Sequence, residues 1–233
     1  MIDIGIIGAG RIGRIHAEGI QMTRGARVRA IADPYMSEET AEWAGSIGIP
    51  IVSKDHREII HDADIGAVLI CSSTDTHSAI SIEAIGAGKH VFCEKPIDHD
   101  LDKIDAVLRA LAGSSIRYQV GFQRRFDHNF RAVRRAVERG RVGDIQMIKI
   151  TSRDPSPPPI PYIKVSGGLF LDMMIHDFDM VRYLSGSEVT EVYAAGAVLV
   201  DPAIGEAGDI DTAIVTLGLS NGGMAVIDNS RRA

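Results

Sequence analysis

The sequence predicts an α/β protein: a doubly wound parallel sheet, followed by an incomplete α+β domain with a mostly antiparallel open sheet. Three observations carry this expectation. As far as Gly121, short apolar runs alternate with amphipathic stretches; a glycine cluster follows the first of those runs; and beyond Gly121 the alternation stops. Strands are predicted at Asp3–Ile7, Val28–Ala32, Ala67–Cys71, His90–Cys93 and Arg117–Val120. Helices are predicted near Ile12–Thr23, Ser37–Ile47, Thr76–Ala87 and Leu101–Leu111. Strands separated by helices need crossover connections, which make a parallel sheet covered on both faces. Gly25, Gly86-Ala87-Gly88 and Gly113 stand where such helices should stop.

The second half reads differently. A helix is predicted over Phe130–Arg139 and a strand over Ile145–Ser152, then the run Asp154-Pro155-Ser156-Pro157-Pro158-Pro159-Ile160-Pro161. Four prolines within the five residues after Asp154 exclude helix and ladder pairing, so this run is expected as a stiff extended loop. Another helix is predicted over Leu171–Leu184, with strands at Glu191–Leu199, Thr212–Leu219 and Met224–Asp228. The division falls at residues 1–121 and 122–233.

Composition narrows the function classes. With 233 residues, 45% of them hydrophobic and 24% charged, the chain can bury a core without staples. No apolar run approaches the roughly 20 residues of a membrane span, so no membrane partner is expected. The opening Met1-Ile2-Asp3-Ile4-Gly5 lacks a basic region before a long apolar stretch, so no signal peptide is expected. Cys71 and Cys93 each end an apolar run and read as buried, reduced thiols, which fits a cytoplasmic protein. A net charge of −6 argues against nucleic acid as a partner. The basic stretch holding Arg124, Arg125, Arg131, Arg134, Arg135, Arg139 and Arg141 shares helical spacing with Glu138 and reads as a solvated helix face.

The glycine cluster, Gly8-Ala9-Gly10-Arg11-Ile12-Gly13, fits G-x-G-x-x-G. Alone that pattern is weak, and a plain tight turn would satisfy it. Here it follows a strand and opens a helix, the context of a Rossmann dinucleotide site. Gly8 allows the turn, Gly10 admits a pyrophosphate, and Gly13 lets helix and strand pack closely. Asp33 ends the second strand, where a carboxylate accepts both ribose hydroxyls. Pro34-Tyr35-Met36-Ser37 follows without Arg or Lys to neutralise a 2′-phosphate, so NAD is the expected cofactor rather than NADP.

Ligands of open parallel sheets bind beyond the carboxyl ends of the strands. Cys71-Ser72-Ser73-Thr74-Asp75-Thr76-His77 leaves the fourth strand with small polar side chains suited to the nicotinamide ribose, although Thr74 equally suits a helix cap. Phe92-Cys93-Glu94-Lys95-Pro96 leaves the fifth, placing a lysine between a buried strand and a proline. In the segment from Gly167 to Met180, Asp172, His176 and Asp179 fall at i, i+4 and i+7, on one face if the segment is helical. Phe170, Met174, Phe178 and Val181 occupy other angles as core. Three titratable groups on one stripe suit acid–base chemistry; surface carboxylates on a capped helix are the bland alternative. No second histidine stands at ligand spacing from His176, so no metal is expected.

With Glu94-Lys95-Pro96 and the G-G-x-x-x-D-x-x-x-H pattern from Gly167 to His176, the chain resembles the Gfo/Idh/MocA oxidoreductases along its whole length. Glu94-Lys95-Pro96-Ile97-Asp98, Gly121-Phe122-Gln123-Arg124-Arg125-Phe126-Asp127 and Ser152-Arg153-Asp154-Pro155 are most similar to the inositol-oxidising branch. The helix ending Ile175-His176-Asp177-Phe178-Asp179 is similar too. The resemblance implies NAD-dependent oxidation of a cyclic polyol hydroxyl, myo-inositol to 2-keto-myo-inositol, by hydride transfer. It implies a trio in which His176 is the general base, Lys95 stabilises the developing alkoxide and Asp172 holds the hydroxyl. Arg125, Asp154 and Asp179 are implied as contacts to other hydroxyls. Gly8, Gly10, Arg11, Ile12, Gly13, Asp33, Ser72, Ser73, Thr74, His77, Glu94 and Lys95 are the expected cofactor contacts. A homotetramer is implied by longer relatives, of well over 300 residues, whose second sheet makes oligomer contacts. Against such relatives the second sheet is incomplete, so Met224–Asp228 or a neighbouring strand is expected at an exposed edge. Two other readings stand beside this one: another sugar, such as glucose, as substrate, or a non-catalytic NAD-binding regulator.

Overall fold

A computed structural model describes residues 1–233, which divide into two units, Met1–Gly121 and Phe122–Ala233. In the first, strands β1 (Ile2–Ile7), β2 (Ala26–Ala32), β3 (Ile51–Ser53), β4 (Ala67–Ile70), β5 (His90–Cys93) and β6 (Tyr118–Val120) form one parallel sheet in the order β3-β2-β1-β4-β5-β6. Helices α1 (Arg11–Gln21), α2 (Glu38–Ser46), α3 (His56–Ile60), α4 (Thr74–Gly86) and α5 (Leu101–Leu111) make the connections. Period-two alternation gives the sheet two apolar faces. Ile6, Val28, Ile31 and Leu69 pack with Ala17 of α1 and Ala44 of α2. Ile7, Ala30, Val68 and Ile70 pack with Ile59 and Ile60 of α3, Ala84 of α4 and Val107 of α5.

Sequence reasoning passed over β3 and α3. Three strand residues and five helical ones are too short to show a period, and α3 is set instead by the Asp55 carboxylate capping the Arg57 amide at 2.9 Å. Cys93 is buried as expected, whereas Cys71 is only partly so. Burial pushes the Cys93 thiol up to about 11 and the Cys71 thiol further, so both are inert at neutral pH.

The second unit begins with a 3₁₀ turn (Gln123–Phe126) and α6 (His128–Glu138), whose first amides are capped by Asp127. Strands β7 (Met147–Arg153), β8 (Val189–Ala197), β9 (Thr212–Leu219) and β10 (Met224–Ser230) form a sheet ordered β7-β10-β9-β8. All its pairings are antiparallel except β10 with β7. β10 therefore lies inside the sheet, and the edges are its neighbour β7 and, on the far side, β8. One face is covered: Ala213, Val215, Leu217, Ala225 and Ile227 pack against Leu169, Met173, Met174 and Val181. The opposite face exposes Met147, Tyr193, Ile214 and Met224.

Three helical segments depart from the expectation. The proline run ends in helix α7 (Ile160–Ser166), because Pro161 falls in its first turn, where an amide hydrogen is not needed. A five-residue helix, α9 (Pro202–Glu206), starts on Asp201, which caps Ala203 at 2.9 Å. The helix expected over Leu171–Leu184 is a π-helical segment (Leu169–Met174) continuing into α8 (Ile175–Ser185). No helix is long and apolar enough to cross a membrane.

Buried Asp211 ties the β8–β9 connection together. Its carboxylate accepts from the amides of Leu199, Val200 and Asp201 at 2.8, 2.9 and 3.0 Å and from the Thr212 hydroxyl at 2.9 Å. Burial alone would raise its pKa; those donors outweigh burial and hold it below the usual carboxylate value. Asp211→Asn is expected to destabilise the protein by about 2 kcal/mol or more at pH 7. Because the folded pKa is depressed, this contribution is complete above the unfolded value of about 4 and disappears as pH falls through the folded one. Urea unfolding of both proteins at pH 7 and pH 3 checks this: the two stabilities should converge in acid.

Candidate active site

At the end of β1 the chain turns sharply into α1. Gly8 has φ 104°, and a Cβ built there would lie 2.5 Å from the Cys71 carbonyl carbon, so the β1 and β4 loops touch through backbone alone. A Cβ on Gly13 would lie 1.9 Å from the Gly8 carbonyl oxygen. Gly10 has nothing within 4 Å of such an atom and precedes an α1 terminus that no side chain caps, with Arg11 and Ile12 in the first turn. Uncapped amides at the start of an 11-residue helix, facing open space at Gly10, suit a pyrophosphate.

Asp33 is tied to this loop. Its Oδ2 accepts the Ala9 amide at 2.8 Å and its Oδ1 the Tyr35 amide at 2.8 Å, which fixes a half-buried carboxylate beside the glycines. Arg14, missed in the sequence, donates to the Ala9 carbonyl at 3.3 Å and to Thr40 Oγ1 at 2.9 Å, with its guanidinium over the Trp43 ring. The glycine loop, the bare helix terminus and the placed carboxylate together fit the adenosine diphosphate half of NAD.

The loops after β4 and β5 are cross-braced. Ser72 Oγ meets Thr76 Oγ1 at 2.7 Å, and Thr76 in turn donates to the Ser73 carbonyl. Ser73 holds the N-cap position of α4 and Thr74 begins the helix, so Thr74 is not the cap. His77, expected to touch the cofactor, is 2% exposed. Its Nδ1 lies 2.8 Å from the Pro96 carbonyl and its Nε2 3.0 Å from the Ser72 carbonyl, so both nitrogens serve to hold the two loops together. Glu94 is likewise engaged within the protein: Oε1 meets His16 Nε2 of α1 at 2.8 Å, and Oε2 lies 3.4 Å from the Lys95 amide. Lys95 follows, half-buried, at the carboxyl end of β5.

In the second unit, Gly167 and Gly168 enter the π segment with φ of 86° and 78°. A Cβ on Gly168 would meet Asp209 Oδ1 at 2.7 Å, the atom that accepts the Leu169 amide, which explains the paired glycines. The wider π turn breaks the expected stripe. Asp172 receives the Tyr162 hydroxyl at 2.8 Å and Arg231 Nη1 at 3.0 Å, and His176 is half-buried in the first turn of α8. Asp179 turns elsewhere: 5% exposed, it takes Arg125 Nε and Nη2 at 2.6–3.0 Å. Asp179, expected among the contacts to substrate hydroxyls, thus has both oxygens on Arg125.

Asp177, beside His176, is fully buried and accepts from Arg124, from Ser152 Oγ at 2.7 Å and from Asn229 Nδ2 at 2.9 Å. Arg134 donates to the Tyr183 carbonyl at 2.8 Å as α8 ends. Arg124, Arg125 and Arg134 therefore anchor α8, and the arginine stretch is only partly a solvated face. No group of His, Cys, Asp and Glu is arranged to hold a metal.

Sheet order, glycine turn and placed carboxylate define a dinucleotide-dependent oxidoreductase. The oxidoreductase family model with an NAD-binding Rossmann fold matches residues 2–122, and the GFO/IDH/MocA C-terminal domain matches residues 130–233. The chain belongs to the Gfo/Idh/MocA family. It is 50% identical over 230 residues to the myo-inositol 2-dehydrogenase of Thermotoga maritima, covering 99% of this chain and 69% of that protein. It is 48% identical over 232 residues to an inositol 2-dehydrogenase of Rhizobium meliloti, covering 100% and 69%. Scyllo-inositol dehydrogenase of Lactobacillus casei, solved with NAD(H) and scyllo-inositol bound, superposes with a TM-score of 0.90 at 35% identity, over 100% of this chain and 70% of that one.

Two glycine substitutions separate folding from cofactor binding. Gly10→Ala should leave thermal stability unchanged, since its Cβ meets nothing, yet weaken NAD binding about tenfold or more by obstructing the pyrophosphate. Gly13→Ala should lose both, because α1 must move off the Gly8 carbonyl. Calorimetric titration with NAD beside a thermal melt checks the pair.

Proposed function

We propose that the protein oxidises a secondary hydroxyl of a cyclic polyol, myo-inositol to 2-keto-myo-inositol, with NAD as acceptor. The observation that carries this reading is the acceptor set of the second unit, in which Asp154, after β7, and Asp172, on the segment that leads to His176, share Arg231. Carboxylates held this way accept hydrogen bonds from neutral hydroxyls and repel a phosphorylated or carboxylated sugar. The inositol dehydrogenases among the relatives support the same substrate class.

Bound NAD would supply the hydride acceptor for the carbon that bears the reacting hydroxyl. His176 removes the hydroxyl proton as general base, and Lys95 hydrogen-bonds the same oxygen and stabilises its growing negative charge. Asp172 accepts a hydrogen bond from the polyol and fixes its orientation, while Asp154 and Arg125, the latter aligned by Asp179, engage further hydroxyls. Asp33 would receive the ribose hydroxyls of NAD, and the Ser72–Thr74 loop would hold its nicotinamide ribose. The first unit is the cofactor domain. The second carries the substrate contacts and, through the apolar outer face of its sheet, the contacts of a homo-oligomer.

A reduction screen over inositols and aldoses with NAD and NADP tests the reading. Myo-inositol or a close cyclic polyol with NAD should give the fastest turnover; preference for an anionic sugar or for NADP overturns it. Asp33→Ala should weaken NAD binding by about 10- to 100-fold, the effect of losing charge-assisted hydrogen bonds. His176→Ala should lower kcat by about 10²–10⁴ with NAD affinity nearly intact, and Lys95→Ala should behave alike. The two losses should not multiply, because both residues act at one oxygen; a double variant that loses the product of both would refute the shared role.

A further inference from the structure

Arg231 has no place in any sequence motif considered above, yet its side chain is the hub of the acceptor set. β10 and β7 run parallel with Ser230 opposite Arg153, so the next residues, Arg231 and Asp154, leave the sheet side by side. Their backbones are pinned: the Asp154 amide donates to the Ser230 carbonyl at 3.1 Å and the Arg231 amide to the Asp211 carbonyl at 2.8 Å. The guanidinium, in a residue 2% exposed, sends one nitrogen, Nη1, to Asp154 Oδ2 at 3.4 Å and to Asp172 Oδ2 at 3.0 Å.

The other two nitrogens, Nε and Nη2, are buried without a hydrogen-bond partner. A buried cation with two unsatisfied donors stabilises the fold less than a fully bonded one, so the fold alone gives little reason to keep a guanidinium here. What only the cation provides is charge balance for two carboxylates that share one nitrogen. Without it, their repulsion drives them apart or protonates one, and a protonated carboxyl no longer accepts at both oxygens.

We infer that Arg231 is a positioning residue, holding Asp154 and Asp172 together as a charged pair of acceptors for two hydroxyls of the substrate. This rests on the polyol-oxidation reading and adds to it a residue that sets how tightly the polyol is held.

Three measurements on Arg231→Met, Arg231→Lys and the unsubstituted chain test it: thermal melting, NAD titration, and steady-state kinetics with myo-inositol. Arg231→Met leaves two carboxylates without their cation and should melt somewhat lower than the parent, yet bind NAD within about twofold of it, while KM for the polyol rises about tenfold or more, ahead of any fall in kcat. Arg231→Lys, which restores the charge but not the fork, should recover part of that loss. An unchanged polyol KM in Arg231→Met overturns the inference. So does a loss of NAD binding in step with the rise in polyol KM, since the arginine would then serve the fold as a whole, and so does a lysine variant no better than methionine. If the unsubstituted chain binds NAD but oxidises no cyclic polyol, the functional reading falls and this inference with it, an outcome distinct from a polyol dehydrogenase indifferent to Arg231.

Discussion

The contact between Gly13 and the Gly8 carbonyl sets the geometry of the cofactor domain. It lets α1 begin almost on top of the strand that precedes it, where any side chain would hold the two apart. From that closeness follow the other features of the site. The start of α1 opens at the crevice between β1 and β4, where the strand order reverses and ligands of such sheets collect. The Ala9 amide reaches Asp33, and His16, on the second turn of α1, reaches Glu94 next to Lys95. One backbone approach thus couples the uncapped start of α1 to the loop that carries the lysine.

The second unit is governed by charge matching rather than by close backbone contact. Asp177 answers Arg124, Asp179 answers Arg125, and Asp154 and Asp172 share Arg231. Breaking one partner from a buried pair is far costlier than never having had the pair, so these arginines constrain one another's replacement. The result is a helix, α8, fixed on both sides of His176, with its neighbouring carboxylates turned in set directions.

Much of the fold was legible because its signals are periodic. The βα alternation, the glycine turn and the strand-ending Asp33 each repeat or stand in register with a neighbour. β3 and α3 were not legible, being shorter than any period. The site was read less fully. Glu94 and His77 were found by motif position, which does not say that Glu94 pairs with His16 or that His77 lies between two backbone carbonyls. Asp172, His176 and Asp179 were placed by an α-helical count, whereas the segment holding Asp172 is π-helical and begins with the Leu169 amide on Asp209, a residue distant in the chain. Arg231 left no signal at all, since nothing before the sheet pairing says that the ends of β7 and β10 lie together.

That pairing also has a kinetic meaning. β7 and β10 are partners 77 positions apart, joined in parallel, so their union must close a long loop before any ladder energy returns. The β9–β10 hairpin, by contrast, has its ends close in the chain and can zip early. Asp154 and Arg231 meet only once the long-range pairing is complete, so the acceptor cluster is among the last features to assemble. A nascent chain can therefore complete its parallel sheet well before Asp154 and Arg231 are brought together.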